Sequence, residues 1–131
     1  MAVSTTPLST LSLVVIPTPD VDRAISFYVD QLGFEKRTDV PFGGSYRWVE
    51  VYPPEGTSGI ALAPPPEGSS AEPRDTGIIF NTPDIEQAHG ELRSRGVDVD
   101  ADISRMGGPV PPMFWLRDQD GNRLLVVQPS E

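Results

Sequence analysis

The chain contains no cysteine and a single histidine, His89, among its 131 residues. Disulfide bonds, thiolate catalysis and zinc sites built on sulfur are therefore excluded. Basic residues are also few, because 10 lysines and arginines face 19 acidic residues and the net charge is −9. They are scattered along the chain, so the phosphate-neutralising surface of a nucleic-acid-binding protein is not expected.

Long apolar runs are missing as well. No stretch approaches the roughly 20 apolar residues that cross a bilayer. Residues 1–10 carry neither a basic residue nor the apolar core of a signal peptide. We therefore expect a cytoplasmic protein with no membrane partner, and the length suits a single domain over residues 1–131.

A repeat is present instead. The tripeptide Thr-Pro-Asp that ends at Asp20 recurs 64 residues later and ends at Asp84. An apolar run that predicts a buried strand precedes each copy, over residues 11–16 and 77–80. A helical pattern follows each copy, with the aspartate as its N-cap and with Gly33 or Gly96 at its end.

Three further strands are predicted in each unit, separated by turns rich in glycine, proline or aspartate. They cover residues 34–40, 46–52 and 60–63 in the first unit and 97–103, 113–117 and 123–127 in the second. A proline- and serine-rich connector, residues 65–74, separates a first unit at 10–64 from a second at 75–131. Each unit therefore has the order βαβββ. A ferredoxin-like fold supplies fewer strands per helix than these turns require.

Three features are found in the order and spacing of a known family. They are the repeat, the segment Phe27–Phe34 that reads Phe-Tyr-x-x-x-Leu-Gly-Phe, and the turn Asp118–Asn122. Together they resemble the vicinal oxygen chelate superfamily of glyoxalases, bleomycin resistance proteins and extradiol dioxygenases. The resemblance implies an α+β fold in which tandem βαβββ units form an open, cup-shaped mixed sheet. It also implies a homodimer.

Enzymes of this superfamily hold a divalent metal in the cup with histidine and glutamate side chains from the strands. The resemblance places three of the equivalent positions at Leu13, Gly77 and Leu125, none of which can coordinate a metal. The fourth falls at Ala61 or Ala63. We therefore expect no metal site of the superfamily type and no cofactor.

Other ligands for a metal are scarce. His89 stands in the second helical segment, where we expect it to face solvent without a functional role. Carboxylates such as Glu50, Asp75, Asp118 and Asp120 suit a hard cation. The last two are more simply explained as turn-forming residues whose side chains accept hydrogen bonds from the backbone.

Strand alternation predicts which side chains line the cup. The positions equivalent to the metal ligands make its floor apolar, Trp48 and Glu50 offer stacking surface and a carboxylate, and Arg123 is the convergent positive charge. The predicted ligand pocket consists of Leu13, Val15, Tyr46, Trp48, Glu50, Gly77, Ile79, Met113, Trp115, Arg123 and Leu125. Residues 106–115 join glycines, prolines and aromatics, and we expect them to form a lid or rim.

Loss of the metal ligands with retention of the fold favours a metal-independent binding protein for an organic small molecule. Such a protein is similar to the antibiotic-sequestering members of the superfamily. A second hypothesis is an enzyme that performs acid–base chemistry without metal, with Glu50, Tyr46, Arg123 or Asp75 as candidate catalytic residues. A third is an accessory domain with no small-molecule site, because a fold does not determine a function.

Overall fold

The computed structural model describes residues 6–41, 43–44 and 46–130. The first unit contains β1 (Leu13–Pro17), α1 (Val21–Ile25), which continues as a π-helical segment (Ser26–Gln31), β2 (Glu35–Pro41), β3 (Arg47–Tyr52) and β4 (Gly59–Ala63). The second unit contains β5 (Asp75–Asn81), α2 (Ile85–Ser94), β6 (Asp98–Val99), β7 (Met113–Arg117) and β8 (Arg123–Val127). The predicted order βαβββ is confirmed in both units.

The strands form two four-stranded mixed sheets with the same topology. The order is β1-β4-β3-β2 in the first sheet and β5-β8-β7-β6 in the second. In each sheet the first strand of the unit pairs in parallel with the last, and the other pairs are antiparallel. The predicted α+β fold of tandem units is therefore confirmed, with the strands divided between two sheets.

Both helices begin and end at the predicted residues. Asp20 accepts a hydrogen bond from the backbone N–H of Arg23 at 3.1 Å, and Asp84 accepts one from Gln87 at 3.1 Å. These N-caps satisfy donors that have no partner within the helix. Gly33 and Gly96 follow the helices with φ of 82° and 83°, a left-handed backbone conformation that residues other than glycine rarely adopt.

The predicted strand 97–103 is wrong in extent, because β6 covers only Asp98–Val99. The pairing of β6 with β7 ends at Asp100, whose side chain accepts a hydrogen bond from the backbone N–H of Trp115 at 3.0 Å. In a longer strand, a backbone carbonyl oxygen would accept from that N–H instead. Pairing with β7 resumes only at an isolated bridge between Ser104 and Met113. β5, by contrast, is longer than the predicted run and is irregular between Asp75 and Ile79.

One core joins the two units. Each helix and one face of each sheet contribute buried side chains to it, among them Ile16, Tyr28, Val49, Val51, Leu62, Ile85, Phe114, Leu116 and Leu124. Burying each large apolar side chain stabilises the fold by roughly 1.5–3 kcal/mol. Phe114, which points to the opposite face of its strand from Met113 and Trp115, is fully buried in this core.

A buried hydrogen-bond network links the first helix to the last turn of the second unit. The hydroxyl of Tyr28 donates to Asp118 Oδ2 at 2.8 Å, and the hydroxyl of Thr18 donates to Asp120 Oδ2 at 2.7 Å. Asp118 also accepts the backbone N–H of Asp120 and of Asn122, both at 2.9 Å. The turn-forming role predicted for Asp118 is therefore confirmed, whereas the Asp120 side chain accepts from the side chains of Thr18 and Gln119 instead of the backbone.

The expectation that His89 faces solvent is wrong. The side chain is half-buried, its Nε2 lies 2.7 Å from the carbonyl oxygen of Asp100, and its ring packs edge-on against Phe114 at 4.9 Å between centroids. A helical periodicity does not show where a neighbouring loop returns to the helix. Across the described residues, no helix is long and apolar enough to span a membrane.

Gly121 and Gly90 provide a matched test of backbone conformation. Gly121 has φ of 84° within the last turn, whereas Gly90 lies in α2 with no atom within 4 Å of the position that a Cβ would take. We expect Gly121→Ala to lower the free energy of unfolding by about 1–2 kcal/mol, and Gly90→Ala to raise it by about 0.5–1 kcal/mol. Urea denaturation measures both. Equal effects of the two substitutions would contradict the assigned conformation of Gly121.

Tyr28→Phe tests the link between the units and gives it a pH signature. Burial, together with the charge of Asp118 and the hydrogen bond to it, raises the pKa of Tyr28 well above its usual value. We expect the substitution to cost about 1–3 kcal/mol at neutral pH. A raised pKa stabilises the fold below the unfolded-state pKa near 10, and this contribution is lost as pH rises further.

The wild type should therefore lose its advantage over Tyr28→Phe by about 1.4 kcal/mol per pH unit above pH 10. Urea denaturation of both proteins between about pH 8 and 11 measures the gap. The other two tyrosines are common to both proteins and cancel in the comparison. A gap that stays constant over this range would show that Tyr28 is not held neutral by burial.

Candidate functional site

Each sheet has one face packed on the core and one face turned away from it, which we call the open face. In the first sheet, Val49 and Val51 are fully buried in the core. Successive strand residues point to opposite sides, so Trp48, Glu50 and Tyr52 lie on the open face. Glu50 stands at the centre, because the strand register places Ala61 of β4 beside it and Val15 of β1 beyond Ala61.

Each carboxylate oxygen of Glu50 accepts a hydrogen bond from a neighbouring side chain on β3. The indole Nε1 of Trp48 donates to Oε2 at 2.9 Å, and the hydroxyl of Tyr52 donates to Oε1 at 2.8 Å. The hydrogen bond to Glu50 is the main reason why the pKa of Tyr52 is raised, since ionisation would place two negative charges side by side. The three side chains form a fixed unit of aromatic surface around one carboxylate.

Arg37 holds this unit in place at one end. Its guanidinium lies 4.4 Å from the ring centroid of Tyr52 and donates to the carbonyl oxygens of Gly56 at 2.8 Å and Pro54 at 2.9 Å. The register of β2 against β3 shifts around Arg37, which marks a β-bulge. The extra residue of the bulge is therefore the one that stacks on Tyr52.

The open face of the second sheet has a different polar group at its centre. Buried Phe114 and Leu116 place Met113, Trp115 and Arg117 on this face. The guanidinium of Arg123 lies 4.0 Å from the ring centroid of Trp115, a cation–π contact.

An ion-pair network fixes the strand on which Trp115 lies. Arg117 donates to Asp100 at 2.8 Å and to Asp98 at 3.0 Å. Burial raises the pKa of Asp100, but the hydrogen bonds from Arg117 and from the Trp115 N–H outweigh this effect and hold the pKa below its usual value. Asp100 is thus a charged acceptor that ties β7 to the segment after β6.

The structure distributes the predicted pocket residues over both open faces. Leu13, Val15, Trp48 and Glu50 lie on the first, and Ile79, Met113, Trp115, Arg123 and Leu125 lie on the second. Ile79 and Trp115 both flank Leu125 through the strand register. Val15 and Ile79 remain 50% and 58% exposed, so the floor of the predicted pocket is apolar and accessible.

Two predicted pocket residues are placed elsewhere. β3 begins at Arg47, so Tyr46 precedes the strand and lines a surface cleft with Asp39 and Arg47. Gly77 stands in the irregular part of β5 with φ of 74°, which breaks the strand alternation that assigned it to the floor. It lines a cavity on the core side of the sheets instead.

Four residues of the site were missed by the sequence reasoning, namely Arg37, Tyr52, Asp100 and Arg117. The alternation that selected Trp48 and Glu50 also selects Tyr52, so that signal was available. The position of Arg37 depends on a β-bulge, and no turn-forming residue in the sequence indicates that bulge. Asp100 was predicted to lie within a strand, but β6 ends before it. Arg117 belongs to the site because it donates a hydrogen bond to Asp100.

Two apolar cavities lie on the core side of the sheets, away from the open faces. The larger, about 260 Å³, lies between the first strands of the two units and is lined by Val14, Ile60 and Ile78 among others. The smaller, about 180 Å³, lies beside α2 and Leu32. The edge-on pair of Phe34 and Phe80, 5.5 Å apart, borders both cavities.

The residues present do not fit the metal centre of the superfamily. The side chains of Leu13, Leu125, Ala61 and Ala63 carry no donor atom, and Gly59, which the structure sets beside Leu13, carries none either. Among the described residues no three histidine, cysteine, aspartate or glutamate side chains group in a way that could hold a metal. The carboxylate of Glu50 is the acidic group nearest these positions in the register.

Comparisons with known proteins agree with this architecture. The profile of the Glyoxalase/Bleomycin resistance protein/Dioxygenase superfamily matches residues 10–126. Uncharacterized protein YurT of Bacillus subtilis is 30% identical over 118 residues, which cover 83% of this chain and 91% of YurT.

Two solved structures also match over almost their whole length. A superfamily member from Sphaerobacter thermophilus is 31% identical with a TM-score of 0.82, and the match covers 92% of this chain and 98% of that one. TnmS3, an antibiotic binding protein from Streptomyces sp. CB03234, is 28% identical with a TM-score of 0.79, over 95% of this chain and 99% of TnmS3. The chain therefore belongs to the Glyoxalase/Bleomycin resistance protein/Dioxygenase superfamily.

Proposed function

We propose that this chain is a metal-independent binding protein that holds an aromatic, antibiotic-like small molecule on its open faces. The observation that carries the proposal is that each open face combines an exposed apolar residue, Val15 or Ile79, with an aromatic ring held by a polar partner, Trp48 by Glu50 and Trp115 by Arg123. Ligand sites are mostly apolar with a few well-placed polar groups, and this surface has that composition. We place this function in the cytoplasm, as the sequence predicts.

The aromatic groups are held before any ligand arrives. Trp48 is fixed by its hydrogen bond to Glu50, and Trp115 by the contact with Arg123 and the backbone bond to Asp100. A preformed surface does not lose side-chain entropy on binding, so more of the contact energy appears as affinity. The similarity to TnmS3, an antibiotic binding protein, supports the same class of ligand.

Binding is favoured over metal-free catalysis by the state of Glu50. A general base needs an oxygen that can reach the proton of a substrate. Both oxygens of Glu50 already accept hydrogen bonds, from Trp48 and Tyr52. Tyr46, the other candidate on this sheet, lies outside β3 in a cleft with Arg47. The geometry thus supports a binding surface better than a catalytic pair.

Metal independence is directly testable. We expect the purified protein to contain no stoichiometric divalent metal by elemental analysis. We also expect calorimetric titration with nickel, zinc, manganese or iron(II) to show no site, because the positions around Leu13 and Leu125 have no donor atoms. One tightly bound metal per chain would contradict the proposal. Metal-assisted lyase or dioxygenase chemistry would then become the leading hypothesis for the function.

We further propose that the protein is a homodimer whose two copies complete each other's binding surface. Exposed Val15 and Ile79 support this proposal, because an apolar side chain on a sheet face gains free energy when a ligand or a second copy covers it. Covering each such side chain contributes roughly 1.5–3 kcal/mol. The fold places Val15 and Ile79 at corresponding positions of the repeat, 64 residues apart.

Val15→Asp and Leu8→Asp form a matched pair for this proposal. Both add one negative charge at an exposed apolar residue, but Leu8, which is 79% exposed, precedes the first strand. We expect Val15→Asp to weaken binding of the neutral aromatic dye N-phenylnaphthylamine at least about tenfold and to shift the mass measured by light scattering towards the monomer. Leu8→Asp should change neither. Equal behaviour of the two variants would place the ligand and the dimer contact elsewhere.

A further inference from the structure

The positive charge of Arg123 helps to lower the pKa of Asp100, but its guanidinium forms no ion pair among the described residues. Across the described residues its guanidinium makes a cation–π contact with Trp115, and no hydrogen bond or ion pair with an acidic side chain is found. An arginine fork carries five N–H donors in a plane that suits carboxylate-like anions. Stacking on the indole occupies the face of the guanidinium and leaves the donors at its edge available.

Two carboxylates on this side of the sheet are paired with a different arginine. Arg117 pairs with Asp100 at 2.8 Å and with Asp98 at 3.0 Å. A second oxygen of Asp100 accepts the backbone N–H of Trp115. The two carboxylates and Arg117 form a hydrogen-bonded group with one net negative charge, and the positive charge of Arg123 stands beside it without joining those hydrogen bonds. On the open face Arg123 lies between its register partners Asp75 and Arg117, and apolar Leu125 follows two residues along the strand.

Arg123 is a positive group in a chain that is negatively charged overall. The net charge of −9 repels anions in general, so an anion is held only where a positive group meets it at close range. On the first sheet the corresponding polar group is the carboxylate of Glu50. The two halves of the site therefore differ in charge, although their backbones repeat.

We propose that the ligand of this site is an aromatic molecule that carries an anionic group, such as a carboxylate, and that Arg123 receives that group. This inference rests on the proposed binding function and specifies its ligand class. The ring system lies on the apolar floor around Leu125 and Ile79, and its anionic substituent meets the edge of the guanidinium at the rim. A neutral ligand would leave the donors of Arg123 to water.

Two dyes of similar aromatic structure test this assignment. Anilinonaphthalene sulfonate carries a negative charge, whereas N-phenylnaphthylamine carries none. We expect the wild type to bind both, and Arg123→Gln to weaken binding of the sulfonate about tenfold or more while changing affinity for the neutral dye less than about twofold. Fluorescence titration of each dye gives the dissociation constants, and near-UV circular dichroism checks that the variants are folded.

Arg93→Gln is the matched control, because it removes the same charge from an exposed position on α2. It should leave both affinities unchanged. Arg123→Lys, which keeps the charge but not the planar fork, should recover part of the affinity for the sulfonate. Unchanged sulfonate affinity in Arg123→Gln would overturn the anion assignment while the binding function stands. Failure of the wild type to bind either dye would overturn the binding function and this inference with it.

Discussion

The hydrogen bond between Tyr28 and Asp118 fixes how the two repeated units meet. It is buried, it joins residues 90 positions apart, and it connects the first helix to the turn before the last strand. Asp118 must be fully paired there, because a buried carboxylate without donors is costly. Donors from Tyr28, Asp120 and Asn122 meet that requirement. Since β8 begins directly after this turn, Leu125 and Arg123 take their positions from it.

The open faces illustrate how one backbone repeat can carry two kinds of polar group. Glu50 and Trp115 occupy matching places, each beside the central strand residue, Ala61 or Leu125. On the first sheet the aromatic rings donate hydrogen bonds to a carboxylate. On the second the aromatic ring supports a guanidinium. The two open faces therefore offer different polar partners, a carboxylate on one and a guanidinium on the other, although their backbones repeat.

Much of the fold could be predicted because its signals are local. The aspartate caps, the glycines after the helices and the alternation in β3 and β7 each depend on a few neighbouring residues. The predictions that were wrong all concern features that depend on contacts between separate segments of the chain. His89 is half-buried by a loop from outside its helix, and β6 is shortened by a hydrogen bond that the backbone N–H of Trp115 donates to Asp100. The bulge at Arg37 and the irregular backbone at Gly77 also reverse alternation without a clear sequence signal.

Leucine at position 125 connects the chemistry of the site to its structure. It stands where strands β5, β7 and β8 meet on the open face, next to Ile79 and Trp115. A carboxylate there would have to be paired with a cation to offset its desolvation. The isobutyl side chain of Leu125 is instead already buried, with 9% of its surface exposed, and needs no charged partner. The residues that remain polar, Glu50 and Arg123, are held by aromatic rings rather than directed together at one point. A metal site needs donors that converge on one point, whereas Glu50 and Arg123 belong to strands of two different sheets.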